Sequence, residues 1–307
     1  MNQGPRIVFM GTPAFAVASL KALIEAKMNV VAVVTAPDKP AGRGMQLQQS
    51  AVKQFALSHN LPVLQPEKLK APEFLEALSS YHPDIQIVVA FRMLPEKIWS
   101  FPPMGTLNVH GSLLPDYRGA APINWAIMNG EKFTGVTTFQ LQHAIDTGDI
   151  LMQEKIAISE NMTAGELHDI MMEVGANVLV KTVNGLVQKN ITSQPQAIPS
   201  VDKHAPKIFT KDCEINWHQS VERIHNMVRG LAPFPGAITK VDGKVVKLFS
   251  TGKEITTPKE APGSFIIEDK KIAKFACENG YLILNDIQWE GKKRMPIEDF
   301  LRGYRAT

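Results

Sequence analysis

RIVFMGTPAFAVASLKALIEA, residues 6–26, decides the fold. Its first five residues form a short β-favouring run of the kind that becomes a buried strand. GTP breaks the run. Thr12 is the candidate helix N-cap and Pro13 suits the first helical position, after which apolar residues recur at helical spacing to Ala26. A strand delivered directly into a helix is the unit of a parallel sheet, and the pattern repeats along the chain. NVVAVVT (29–35) is followed by a polar loop, PDKPAGRGMQLQQS, and a helix around AVKQFALS. PDIQIVVAF (83–91) and TLNVHGS (106–112) are further strands, and APINWAIMNG a further helix. Strands at GVTTFQL and GDILMQEKIAI precede a long helix over 163–188, opened by a Thr163-x-x-Glu166 capping box. Alternating elements of this kind predict an α/β domain with a mostly parallel sheet.

Periodicity ends near residue 190, where a polar stretch rich in proline begins. The expected organisation is a catalytic domain over 1–189, a linker over 190–208 and a C-terminal domain over 209–307. In the last of these, one helix (220–231) precedes short alternating runs separated by glycines and charged turns, which predicts a small antiparallel barrel or sandwich. Residues 206–307 carry 17 Lys/Arg against 13 Asp/Glu, whereas 1–205 carry 16 against 17, so the excess of positive charge lies at the C-terminal end. The hydrophobic share is 44% and the charged share 21%, ordinary for a globular protein. No run of 18 apolar residues is present, and IVFM is too short for a signal-peptide core, so a cytoplasmic protein without a membrane span is expected. Cys213 and Cys277 lie outside any CxxC spacing and are expected to be buried, inert thiols. No histidine pairing suggests a metal. The turn after the first strand lacks G-x-G-x-x-G, no P-loop is present and Ser112 has no G-x-S-x-G context, which disfavours nicotinamide, phosphoryl-transfer and serine-nucleophile chemistry.

Three constellations remain. Asn108 and His110, in NVHGSLLPDYRGAAP (108–122), sit two apart on a strand, so both side chains share one face near its C-terminal end. Alone, the pair also fits a turn-forming amide beside a satisfied, half-buried histidine. AIDTGDI (144–150) places Asp146 and Asp149 in a turn between strands, where carboxylates also occur simply to hydrogen-bond backbone. PDKPAGRGM (37–45) puts Lys39 and Arg43 among prolines and glycines, either as a plain surface loop or as a grip on a phosphate backbone.

Together, NVHGSLLPDYRGAAPINWAI and DTGDI resemble the signature and the catalytic aspartate loop of the folate-dependent formyltransferases. FMGTPAFA, PDKPAGRG and the long C-terminal extension are similar to the branch of that family acting on methionyl-tRNA. The resemblance covers nearly the whole chain. It implies a Rossmann-like formyltransferase domain followed by a C-terminal, OB-like β-barrel that binds tRNA, and 10-formyltetrahydrofolate as formyl donor without a metal. It implies that Asn108, His110 and Asp146 are catalytic. Folate contacts would come from Ser112, Leu113, Leu114 and Pro115, with Phe91, Arg92, Met93 and Leu94 at the pterin. Lys39 and Arg43, and Lys207 and Lys211 at the domain entry, would contact initiator methionyl-tRNA, and a monomer is expected. The chain departs from the family's usual V-V-A-Y-G at VVAFRMLP (88–95), where Arg92 replaces a glycine.

These residue types suit acyl transfer to an amine. The tetrahedral carbon bears an oxyanion, to which a neutral amide and an imidazolium can donate, while a carboxylate stabilises the imidazolium or takes the amine's proton. An amino-sugar formyltransferase and a non-catalytic binder of RNA and folate are the alternatives that the sequence leaves open.

Overall fold

A computed structural model describes residues 4–41, 46–198 and 201–304. In chain order its elements begin β1 (Ile7–Gly11), α1 (Ala14–Glu25), β2 (Val30–Val34), β3 (Lys39–Ala41), β4 (Gln46–Gln48), α2 (Ala51–Ser58), β5 (Val63–Leu64), α3 (Pro72–Ser80) and β6 (Ile85–Val89). They continue α4 (Glu96–Trp99), β7 (Thr106–His110), β8 (Arg118–Gly119), α5 (Pro122–Met128), β9 (Phe133–Gln140), β10 (Ile150–Ala157) and α6 (Ala164–Val187). The rest are β11 (His204–Ala205), α7 (Val221–Leu231), β12 (Ala237–Val241), β13 (Lys244–Ile255), β14 (Phe265–Glu268), β15 (Ile272–Ala276), β16 (Gly280–Trp289), β17 (Met295–Pro296) and α8 (Ile297–Gly303). Two compact units result. One comprises Met1–Arg118, Gly135–Ile156 and Asp169–Lys203; the other comprises Gly119–Thr134, Ala157–His168 and His204–Thr307.

The first unit is organised on a seven-stranded sheet in the order β10-β9-β7-β6-β1-β2-β5. The pairs β1·β2, β1·β6, β2·β5 and β6·β7 are parallel, and β7·β9 is antiparallel. Every residue of β1 and β6 is buried, as expected of central strands covered on both faces. Counting only the parallel strands, the order is third, second, first, fourth, fifth. Chain direction across the sheet therefore reverses between β1 and β6, and ligands of doubly wound sheets bind outside the strand ends at such a point. Gly11 closes β1 there, paired with Val89. A Cβ on Gly11 would lie 2.6 Å from the Ala16 Cβ and 3.1 Å from the Val89 carbonyl oxygen, so only glycine lets α1 pack this closely. Helix α1 starts one residue later than its sequence suggests. Pro13, in extended conformation, is the N-cap, with no side-chain capping bond.

The polar loop after β2 holds an unanticipated hairpin, β3 with β4. Its base is pinned by Asp38, which accepts from Lys53 Nζ (2.5 Å) and Gln65 Nε2 (2.8 Å). Those two bonds hold the Asp38 carboxyl below its ordinary pKa. Helix α6 opens with the anticipated capping box: Thr163 N donates to Glu166 Oε2 (2.7 Å), and Glu166 N to Thr163 Oγ1 (3.2 Å). By length and composition α6 could cross a bilayer. Its Leu167, Met171, Val178, Leu179 and Val183 are buried in protein instead, which is the pattern of a core helix.

The second unit contains a six-stranded sheet with the path β12-β13-β16-β15-β14 and β17 added to β16; the four pairs on that path whose register is defined are antiparallel where stated below. These are β12·β13, β13·β16, β15·β16 and β14·β15. Helix α7 is N-capped by Ser220, whose side chain accepts from Arg223 N. It lays Val221, Ile224, Val228 and Leu231 on the same core as Leu248, Phe275 and Leu282. Both cysteines are buried, as anticipated, and burial raises their thiol pKa values, that of Cys277 to about 11.

Candidate active site

Strand β7 presents Asn108 half-buried and His110 buried, two residues apart on one face. Among the described residues the Asn108 carboxamide has no hydrogen-bond partner, so its donors and acceptor are available. His110 is oriented from below. Its Nε2 lies 2.9 Å from the Tyr117 carbonyl oxygen, which can only accept, so Nε2 carries the proton. Nδ1 consequently faces Asp146, whose Oδ2 is 3.9 Å away. That separation is too long for a direct hydrogen bond but within ion-pair reach of a protonated imidazole, and the side chains are only 8% and 12% exposed.

Topology explains how Asp146 arrives. Because β9 runs against β7, Gln140 pairs with Leu107 and Thr137 with His110. The loop after β9 therefore starts beside Thr106, where Leu141 N donates to the Thr106 carbonyl (2.8 Å). It must return roughly 13 Å along β7 to reach His110, at about 3.3 Å per residue. The loop thus folds back along β7 towards His110. Asp146 sits in the left-handed region, φ +53°, a conformation that Asp tolerates better than most residues. Gly148 has a separate reason: a Cβ there would fall 1.6 Å from the Gln140 carbonyl oxygen. Tyr117, at φ +59°, is likewise left-handed.

SLLP, after β7, is a built turn. Ser112 is fully buried and its hydroxyl donates to the Asp116 carbonyl (2.5 Å). Thr137 Oγ1 donates to the Ser112 carbonyl (2.7 Å) and accepts from Leu114 N (3.1 Å) and Gln153 Nε2 (2.9 Å). Leu114 is buried, while Leu113 and Pro115 stay partly exposed. At the end of β6, Leu94 is buried, Phe91 half-buried and Met93 73% exposed. Phe91 and Leu141 pack on the same cluster as Met10, Val88 and Leu94, which joins the bases of the β6 and β9 loops. Ile145 is 60% exposed on the second of these loops. Met93 and Ile145 thus leave apolar surface exposed on the loops that follow β6 and β9. Arg92 lies over Phe91 (5.4 Å) and donates to the Pro66 and Glu67 carbonyls at 2.7 and 3.0 Å, bracing this wall from α3's approach.

Two family models match the chain: formyl transferase over residues 5–183, and formyl transferase, C-terminal domain, over 207–305. The chain belongs to the formyltransferase family. The methionyl-tRNA formyltransferase of Bacteroides fragilis is 46% identical over 98% of this chain and 96% of its own length. That of Azobacteroides pseudotrichonymphae is 50% identical over 97% and 95%. Among solved structures, the sugar 3N-formyl transferase WlaRD aligns at TM-score 0.68 with 20% identity, covering 94% of this chain and 99% of that one. HypX from Aquifex aeolicus, in complex with tetrahydrofolic acid, aligns at 0.66 with 19% identity over 99% of this chain. This chain spans about half of HypX, 48%. At these identities the structural likeness speaks for the formyltransferase fold alone.

Of the cations anticipated for tRNA, Lys39 is exposed in the first unit. Lys207, beside the Phe209 ring (5.5 Å), and Lys211, in a short 3-10 turn (Thr210–Cys213), are exposed in the second. Arg43 lies outside the described residues. Sequence reasoning missed Thr137, the Tyr117 carbonyl and a contact from the proline-rich segment: Gln196 Nε2 donates to the Asp146 and Gly148 carbonyls, each at 2.8 Å. Gln196 stands between residues with no periodicity, and only its place beside two prolines, SQPQAIP, marked a fixed extended segment.

Proposed function

We propose that this formyltransferase moves the formyl group of 10-formyltetrahydrofolate to the α-amino group of methionine on initiator methionyl-tRNA, in the cytoplasm and as a monomer. The observation that carries the chemistry is the Asn108 amide, without a hydrogen-bond partner among the described residues, beside a His110 whose Nδ1 faces Asp146. The tRNA substrate rests on relatives of that name at 46–50% identity over nearly the full chain.

Asn108 donates its amide N–H to the formyl oxygen as it becomes an oxyanion. His110 Nδ1, the acceptor nitrogen of the neutral tautomer that donates from Nε2 to Tyr117, takes the proton that the attacking amine must lose. The imidazolium so formed is stabilised by Asp146 and is then the donor that protonates the departing N10 nitrogen. No covalent enzyme intermediate is needed. Phe91, Met93 and Leu94, with Leu113 and Pro115, form the apolar wall for the pterin, and Arg92 holds that wall in place. Ser112 and Leu114 act through the turn they build. Lys39 and Arg43 contact the acceptor arm; Lys207, Lys211 and an OB-like curvature of the second sheet serve the tRNA body, with 190–208 as the linker between catalytic and tRNA-binding domains.

Incubation with the formyl donor and methionine-charged initiator tRNA tests the reading, against uncharged tRNA, free methionine and a nucleotide-linked amino sugar. Formylation confined to the charged tRNA is the expected outcome. Formylation of the sugar nucleotide instead would replace the substrate, and none at all would leave a binding protein. Arg43→Ala is expected to weaken use of tRNA with folate binding unchanged, and tRNA affinity is expected to fall steeply with salt.

A further inference from the structure

We propose that Gln196 is a positioning residue, which sets the relative placement of His110 and Asp146 from within the segment that follows α6. The inference rests on the formyl-transfer reading above. A carboxamide can donate two hydrogen bonds and accept two, and here all four are made. Its Nε2 donates to the carbonyls of Asp146 and Gly148, both at 2.8 Å. Its Oε1 accepts from Arg118 Nε (3.1 Å) and Nη2 (2.5 Å). The orientation of the amide is fixed by its partners, because two carbonyls demand the NH2 side and a guanidinium demands the oxygen.

These contacts close a ring. Tyr117 and Arg118 are adjacent in sequence. The Tyr117 carbonyl fixes the His110 imidazole at Nε2 (2.9 Å), and the Arg118 guanidinium fixes Gln196, which fixes the backbone of Asp146. The same segment is secured on both sides of Gln196. Gln194 exchanges two backbone bonds with Ile150 (2.8 and 2.9 Å), and Tyr117 N donates to the Lys203 carbonyl (2.6 Å). Both residues bearing on the imidazole, Tyr117 and Asp146, have left-handed backbones. For a residue with a Cβ that conformation is disfavoured and persists when surrounding bonds impose it. Removing the two donors of Gln196 would release the Asp146 turn, and a carboxylate about 1 Å out of place can cost on the order of 100-fold in rate.

The test uses the full chain and steady-state formylation of methionyl-tRNA, comparing Gln196→Ala, Gln196→Glu and the same Gln196→Ala change on an Asp146→Asn background. Gln196→Glu keeps the volume and the Arg118 contact but has no N–H for the two carbonyls, so it stands if the alanine variant folds poorly. Both single variants are expected to lower kcat by roughly 10- to 100-fold with KM for donor and tRNA within about twofold. On the Asp146→Asn background the alanine change should have no further effect, since a residue that acts only through Asp146 has nothing left to position. Hydrogen exchange over 145–149 should quicken in both single variants. A kcat for Gln196→Glu within twofold of wild type, an undiminished alanine effect without the Asp146 carboxylate, or unchanged exchange over 145–149 would each overturn the proposal. A wild-type chain without turnover would break the functional reading, while the exchange measurement would still judge this one.

Discussion

Asn108 and His110 reach the site on a strand, whereas Asp146 reaches it on a loop, and the two are held by different physics. On β7 the side-chain direction follows from the alternation of the backbone, which hydrogen bonds to β6 on one side and β9 on the other already fix. Asp146 has no such ladder. Its place depends on a left-handed turn, a glycine with no room for a methyl group, and bonds to Gln196. The direction of a strand-borne group is therefore set by the ladder, with the Tyr117 carbonyl adding only the ring orientation of His110. A loop-borne group can be disabled from several residues that never meet substrate.

The largest effect is expected where the strand residue itself is removed. Asn108→Ala should cut kcat by about 10² to 10³ with the thermal midpoint unchanged, as loss of one oxyanion donor does; turnover near that of wild type would remove the amide from the mechanism. Next comes the loop. Gly148→Ala forces a Cβ to 1.6 Å from the Gln140 carbonyl, so the turn must move. A fall in kcat on the order of 100-fold is expected, with folate affinity largely kept. If kinetics of Gly148→Ala match wild type, the loop tolerates displacement and the contrast with the strand fails. Thr137→Val probes the turn that follows β7 by leaving the Ser112 carbonyl and Leu114 N–H without their partner. It should lower unfolding free energy by about 1–3 kcal/mol in denaturant titration and reduce kcat less than either change above.

The smallest effect belongs to a residue outside both. His225 is buried in the second unit between Thr251 Oγ1 (2.9 Å) and Asn161 Oδ1 (3.2 Å). Burial, with Lys253 and Arg229 nearby, depresses its pKa to about 4. The unfolded chain therefore binds a proton near pH 6.5 that the folded chain refuses until about pH 4, so stability falls as pH drops through that window and levels off below it. His225→Asn should flatten this part of the stability profile. An equally steep profile in the variant would assign the acid sensitivity to other groups.

The same contrast explains what could be read from residues alone. RIVFM, NVVAVV and IQIVV announce strands because strands covered on both faces read as near-continuous apolar runs, and the i, i+2 spacing of Asn108 and His110 gives their shared face directly. The Thr163–Glu166 box and the burial of both cysteines followed from local chemistry in the same way. The β3–β4 hairpin did not, because PDKPAGRG reads as turn residues and its base depends on Lys53 and Gln65, 15 and 27 residues away from Asp38. Gln196 did not either: its partners are 48, 50 and 78 residues distant, and a polar residue among prolines has no periodicity to betray a role. Even the family pattern, which names Asp146, does not say that its carboxylate stops 3.9 Å short of Nδ1.

Because β9 runs backwards, the aspartate's reach is measured out by the number of residues between Leu141 and Asp146. The start of that count is fixed at the Thr106 carbonyl and its end by the Gln196 bond to Asp146, while the loop is closed at its base by the Gln140–Asp149 backbone bond (3.0 Å). Deleting one residue from 142–145 would shorten the span by up to about 3.5 Å, nearly the whole gap to His110. Loop length here is a ruler, and natural or laboratory variation in it would move the Asp146 carboxylate relative to His110 while every residue of the recognisable signature stayed the same.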